Sequence, residues 1–274
     1  MDLRIQKLKK PKIICCNKYI PSKKKLIYTK KPLGETDFGI KKYYRSYIKC
    51  KKCGHYFSNI KFNLDTLYNK KYSLKSYGNL NDLKRKFETI NNLSLSKSDN
   101  KKRVKRVIKF VKKKNNLLDI GSGLGVFPFA MKKKTNVFLI EKDKNFVFHL
   151  KKIFKKKLIG TNIFSGYLQK KYSQYFDFIS INKVLEHIYE PDKFLNKALH
   201  YLKPGGTIYI EVPNANALKV NGKNSEEFFI EHLHVFSLNS LKNLIIRQKV
   251  SLILLEEIKE PSGKFTLFAF AKKN

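Results

Sequence analysis

The sequence of 274 residues allows one large domain, or one medium domain with a smaller attachment, and its 42% hydrophobic content excludes a chain disordered throughout. Its longest apolar runs, such as Val126 to Met131 and Leu252 to Leu255, are too short to cross a bilayer, and no apolar segment follows the basic N-terminus. The net charge of +38 looks like a nucleic-acid footprint, but only six of the 59 basic residues are the arginines that suit phosphate and base edges, and the lysines are spread along the whole chain. We therefore read a lysine-coated surface, with nucleic acid disfavoured as a partner. The four cysteines, with Cys15 and Cys16 adjacent, do not form a disulfide framework in a chain of this size. A reducing, cytoplasmic setting without signal peptide or anchor is expected.

Residues 1–60 are rich in Lys, Tyr and Cys, with turn signals at Pro11, Pro21 and Pro32 to Gly34 and no long amphipathic helix. From Asn63 to Asn116 the pattern turns helical. Lys84 to Ile90 is one candidate helix, and Val104, Val107, Ile108 and Val111 repeat at helical spacing in another, with the polar linker Leu93 to Lys101 between them. These segments divide the chain into 1–60, a helical lead-in 61–115, and a domain 116–274.

Within 116–274 strands and helices alternate. Strands are expected at Leu117 to Ile120, Asn136 to Ile140, Leu158 to Ile163, Phe176 to Ile181, Thr207 to Val212, Val250 to Glu256 and Phe265 to Ala271. Helices are expected at Phe127 to Lys133, Asn145 to Phe154, Pro191 to Leu202 and Ser237 to Gln248, the last with Ser237 as N-cap. Such alternation demands an α/β fold with a mostly parallel seven-stranded sheet covered on both faces, finished by an antiparallel hairpin through Pro261 to Gly263.

Asp119-Ile-Gly121-Ser-Gly123-Leu-Gly125 sits where the first of these strands meets its helix. A dinucleotide site uses G-x-G-x-x-G there, because its helix N-terminus receives a pyrophosphate. Here the run is G-x-G-x-G behind an acid, which suits a ligand carrying positive charge. S-adenosylmethionine, with an ammonium, a carboxylate and a sulfonium, is such a ligand. About twenty residues on, the second strand ends in Glu141, where an acid accepts hydrogen bonds from ribose hydroxyls.

Leu118 to Gly125, Glu141, Phe176 to Ile188, Leu202 to Thr207 and Glu231 to Ser237 together resemble the class I S-adenosylmethionine-dependent methyltransferases, over residues 116–274. The resemblance implies a Rossmann-like fold with S-adenosylmethionine as cofactor. Asp119, Gly121, Ser122, Gly123 and Gly125 would hold its methionine part and Glu141 its ribose. Asn162 would lie near the adenine, and Asn182 would border the sulfonium. Cys50-Lys-Lys-Cys53-Gly54 and the aromatic stretch Tyr68 to Tyr77 resemble the zinc-binding lead-in of some methyltransferases, sugar C-methyltransferases among them. Those carry two Cys-x-x-Cys knuckles, because zinc takes four tetrahedral ligands. The first knuckle departs from the pattern, with Lys18 and Tyr19 where a second thiolate belongs. A Cys₃His set from Cys15 or Cys16, Cys50, Cys53 and His55 is cramped, so a metal-free remnant is expected.

Methyl transfer from a sulfonium is a displacement in which positioning does much of the work, and a hydroxyl or acidic carbon also needs a proton acceptor. His187 is the first candidate, at an expected helix start just past the fourth strand. His232 and His234 follow, at i and i+2 on one face of an extended segment. Some quinone O-methyltransferases resembling this chain hold a divalent ion with a further Glu four residues before the histidine. Lys183 stands there, which disfavours a metal-assisted mechanism. The expected acceptor is a small molecule, a sugar or sugar nucleotide of surface-polysaccharide synthesis first and a quinone or phenol second. A non-catalytic scaffold and an RNA methyltransferase are the remaining readings.

Overall fold

The computed structural model describes residues 15, 16, 18–60 and 76–274. The Pro11 turn, residues 63–75 of the helical pattern and residues 68–75 of the aromatic stretch lie outside the described residues.

The larger sheet has seven strands. β4 (Asn116–Ile120), β5 (Asn136–Ile140), β6 (Leu158–Gly160), β7 (Phe176–Asn182) and β8 (Leu202–Pro213) are parallel, while β10 (Val250–Lys259) and β11 (Phe265–Lys273) form the antiparallel hairpin. The order is β10-β11-β8-β7-β4-β5-β6, so the chain reverses its direction of travel across the sheet between β4 and β7. Open α/β sheets bind ligands at that kind of switch point, beyond the carboxyl ends of the strands.

Alternation along each strand separates the two faces. Leu118, Ile120, Ile179, Ile181, Ile208 and Ile210 point to one core, which α5 (Gly166–Tyr172), α6 (Pro191–Tyr201) and α8 (Leu238–Ile246) cover through residues such as Leu168, Leu195 and Leu241. Leu117, Leu139, Phe178, Tyr209 and Phe270 point to the other. That core is covered by α2 (Asp99–Val107), α3 (Val126–Met131) and α4 (Lys144–Phe154) through Val107, Met131 and Leu150. The expected Rossmann-like architecture is the one observed. α1 (Leu80–Asn92) leans on α3 and α4, its start fixed by a capping box of Asn79 and Asp82.

Several boundaries differ from expectation. The Leu93 to Lys101 linker gives way to helix at Asp99, because Ser98 caps α2 by accepting from the Lys101 N–H. β6 stops at Gly160, where the Asn162 side chain accepts from the Phe164 N–H and turns the chain into α5, a helix not expected from the sequence. β8 runs back through Pro204, Gly205 and Gly206 to Leu202, with a register shift against β7. The Glu186-His187 helix start is a single 3₁₀ turn, Leu185–His187, and α6 begins at Pro191.

The N-terminal segment is a small antiparallel sheet. β1 (Pro21–Tyr28), β2 (Arg45–Cys50) and β3 (Tyr56–Asn59) are joined on the β3 edge by β9 (His234–Val235), which comes from the connection after β8. β1, β2 and β3 are thus bonded to the connection after β8 through a shared sheet.

Candidate functional site

The three loop glycines all have positive φ, a region closed to most side chains. A Cβ on Gly121 would strike Val184 at 2.5 Å, and one on Gly125 would strike Leu150 at 2.5 Å. Gly123 is different: nothing lies within 4 Å of its would-be Cβ, so that side of the loop is open for a ligand to approach the main chain. Glu141 braces the loop, one carboxylate oxygen accepting from the Gly123 N–H at 2.7 Å and the other from the Asp143 N–H at 2.8 Å. Each oxygen keeps a lone pair for a further donor.

Asp119 stands beneath the loop, buried, and burial pushes its carboxyl up to about 6 despite its hydrogen bonds. One of its oxygens accepts from the Ser180 hydroxyl and from the Asn182 side-chain amide at 3.0 Å, which locks the ends of β4 and β7 together. The Asn182 carbonyl oxygen is buried without a partner at the mouth of this lock. An orphaned acceptor beside a buried carboxylate fits the ammonium of a methionine moiety. Ser122 gives its hydroxyl to the Asp119 carbonyl at 3.0 Å and holds the turn. Asn162 builds the turn after β6, beside the half-exposed ring of Phe164.

The histidines separate. His187 donates its Nδ1–H to the Glu231 carbonyl at 2.9 Å, and His232 donates its Nδ1–H to the Glu227 carbonyl at 2.9 Å. Both rings therefore carry the lone pair on Nε2. Their centroids are 4.9 Å apart, and ligand atoms of Glu186, His187 and His232 lie within 4.8 Å of one another. Burial pushes His187 down to about 4 and His232 well below its ordinary range, so both are neutral near pH 7. Glu186 is the member that sequence reasoning missed. It is 1% exposed, neither carboxylate oxygen has a hydrogen-bond partner although one lies 4.0 Å from His187 Nε2, and burial pushes it up to about 8 against the positive charge of Lys183. Lys183 is half-buried, holds a left-handed backbone (φ 54°), and donates to the Thr266 hydroxyl at 2.7 Å. The two imidazoles and the carboxyl could also hold a divalent ion, but Lys183 already brings positive charge to them.

His234 does not share a face with His232. Period-two alternation holds only within a strand, and β9 begins at His234 while His232 is still in the preceding turn. His234 turns away from the acceptor side to meet His55, nitrogen to nitrogen at 3.1 Å.

His55 is likewise spent elsewhere, on Ser240 and His234, and takes no part in a Cys₃His set. Instead Cys15, Cys16, Cys50 and Cys53 place their sulfurs within 4.8 Å of one another, Cys16 lying 3.8 Å from both Cys15 and Cys50. A tetrahedral zinc with Zn–S bonds of about 2.3 Å requires sulfurs about 3.8 Å apart. All four cysteines are buried, and mutual hydrogen bonding raises the Cys15 thiol while lowering Cys53 to about 6. This donor set fits zinc.

A model of a methyltransferase domain matches residues 94–248. No curated protein matches the chain. Among solved structures, a SAM-dependent methyltransferase of Methanosarcina mazei superposes with a TM-score of 0.50 at 18% identity, covering 61% of this chain and 96% of that one. One from Archaeoglobus fulgidus gives 0.50 at 19%, covering 63% and 92%. One from Thermotoga maritima gives 0.51 at 16%, covering 71% and 96%.

Proposed function

The chain belongs to the methyltransferase-domain family and uses S-adenosylmethionine, and we propose that it methylates a small, hydroxyl-rich acceptor, a sugar or sugar nucleotide of surface-polysaccharide synthesis. The observation that carries this reading is the polar, half-buried acceptor side. Glu186 is buried and His187 and His232 are half-buried, beside the loop after β8 and the sheet that β9 shares with β3. This lining of carboxyl, imidazole and ammonium groups matches hydroxyls better than a flat phenol, which would favour aromatic walls. The lysine-rich surface attracts the diphosphate of a sugar nucleotide from a distance.

An RNA acceptor is disfavoured by the arginines. All five among the described residues pair with carboxylates: Arg45 with Glu35, Arg85 with Asp82, Arg103 and Arg106 with Glu211, and Arg247 with Asp192. None stands ready as a planar fork for phosphate.

In this reading the glycine loop, Asn182 and the buried Asp119 hold the methionine part of the cofactor, Glu141 the ribose, and Asn162 with Phe164 the adenine. His187 and His232, with Glu186, act at the acceptor oxygen. Their Nε2 lone pairs are the proton acceptors. A methyl-transfer screen against sugar nucleotides, phenols and RNA tests the acceptor class. Turnover confined to sugar nucleotides is expected, and turnover confined to phenols or RNA would replace the proposal.

Glu141→Ala is expected to weaken S-adenosylmethionine binding by about 1–3 kcal/mol, through loss of the ribose hydrogen bonds and of the brace on Gly123. Calorimetric titration measures it. An unchanged affinity would remove Glu141 from the cofactor site.

A further inference from the structure

A run of hydrogen bonds leads from the cysteine cluster to His234, the chain neighbour of Leu233 on the acceptor-side segment. The Cys53 carbonyl accepts the hydroxyl of Ser237, the N-cap of α8. Ser240, one turn on, gives its own hydroxyl hydrogen to the Ser237 carbonyl, so its oxygen accepts from His55 Nδ1–H at 3.0 Å. The His55 Nε2 lone pair then accepts from His234 Nδ1–H. Beside this chain, the Ser58 N–H donates to the Leu233 carbonyl at 2.9 Å, and the Leu233 N–H donates to the Glu186 carbonyl at 2.7 Å. His232 and Glu186, the acceptor-side groups, are the immediate neighbours of these bonded positions.

We propose that Cys15, Cys16, Cys50 and Cys53 hold one zinc ion whose task is to fix the acceptor-side segment 231–237, leaving the cofactor loop organised without it. The zinc-ribbon resemblance supplies the metal, but the adjacent pair Cys15 and Cys16 as two ligands, and the load carried through His55 and Ser237, are read from this chain.

The physical need is plain. β1, β2 and β3 are short, and in the cysteine cluster Phe57 and the partly buried Tyr19 supply the apolar packing. Tyr28, Tyr47, Tyr56 and Phe228 give the sheet a separate aromatic core, but the cysteine end has little of its own, and a metal would supply folding energy there. Gly54, at φ 78°, turns the Cys50–Cys53 knuckle back so that the Cys50 carbonyl accepts the Gly54 N–H at 2.9 Å. That turn aims the Cys53 carbonyl at α8. The glycine loop depends on none of this. Its hydrogen bonds run to Ile140, Ser122 and Glu141.

The proposal rests on the acceptor-side reading of His187 and His232, and the test keeps the two apart. The full-length protein, purified without added zinc, is expected to contain one zinc per chain, and Cys15→Ser, Cys16→Ser and Cys50→Ser should each lose it. Chelating the parent's zinc, followed by hydrogen exchange, should speed exchange at the Ser58 and Leu233 amides about tenfold or more, while the Gly123 amide stays as it was. Restoring zinc should restore the protection. His55→Ala should keep its zinc yet loosen the same two amides, which a purely local metal site would not do. S-adenosylmethionine affinity should change less than about twofold throughout.

Absence of zinc, or removal of zinc without faster exchange at Leu233, would overturn the proposal. Loss of cofactor binding together with zinc would also overturn it, since the metal would then serve the whole fold. If zinc fixes the segment but His187→Ala keeps full turnover, the acceptor-side reading fails and the coupling stands.

Discussion

His187→Ala is expected to lower turnover by about 10²–10⁴-fold, the usual worth of a positioned proton acceptor, and to leave S-adenosylmethionine affinity unchanged. The imidazole is fixed by its Nδ1–H on the Glu231 carbonyl, so the group that acts is always Nε2. An ordinary histidine would put the acid limb of the rate profile near 6.5. Burial moves His187 down to about 4, so the parent should stay active well below neutrality, until acid reaches the fold. A limb near 4 that the alanine variant lacks is the signature. His232→Ala should also cost turnover, because its ring abuts that of His187. His234→Ala should mainly loosen the contact with His55. Stopped assays across pH, with cofactor binding measured in parallel, separate these cases. Full turnover in His187→Ala with a large loss in His234→Ala would move the chemistry to the other side of β9.

The parts legible in the sequence are those whose cause is local. The strand, acid, glycines, helix and second acid lie within Leu117 to Glu141, and each is dictated by a backbone turn or an alternation over a few residues. The seven-stranded sheet was legible for the same reason, since buried parallel strands are continuous apolar runs. What was not legible depends on residues far apart in the chain. β9 pairs with β3 although His234 and Phe57 are separated by most of the sequence, and nothing local marks a two-residue strand. Glu186 looked like the first residue of a helix, and only the folding of Glu231 and His232 over it makes it a buried carboxyl. Cys15 and Cys16 looked like a broken knuckle because the expected spacing has two residues between thiols. Tetrahedral geometry asks for distances, and an adjacent pair meets them.

Glu211→Gln is expected to destabilise the fold by about 3–5 kcal/mol, the cost of breaking a buried ion pair from one side. Glu211 lies on β8, fully buried, and takes a bidentate grip from Arg103 on α2, at 2.8 Å and 2.5 Å. The Tyr209 hydroxyl donates to it at 2.7 Å, and Arg106 bridges from it to Glu260 at 2.9 Å. Two arginines and two carboxylates meet here with the Lys183 charge close by, so removing one carboxylate leaves positive charge nearly out of reach of water. An isolated surface pair would cost little, but here Arg103 has 11% exposure and Glu211 none. The same geometry sets a pH dependence. Although burial opposes ionisation, the Arg103 charge and its hydrogen bonds hold Glu211 well below its ordinary 4.5 in the folded state. A depressed carboxyl contributes stability that is present above the unfolded value and is lost as pH falls from about 5 toward the folded value. Urea melts of the parent should therefore weaken below about pH 5, and part of that acid sensitivity should be missing in Glu211→Gln, which has already lost the pair. Equal slopes against pH in parent and variant would mean that other carboxylates govern acid unfolding. A variant as stable as the parent at pH 7 would mean that α2 is held to the sheet by Val107 and its apolar neighbours rather than by this cluster.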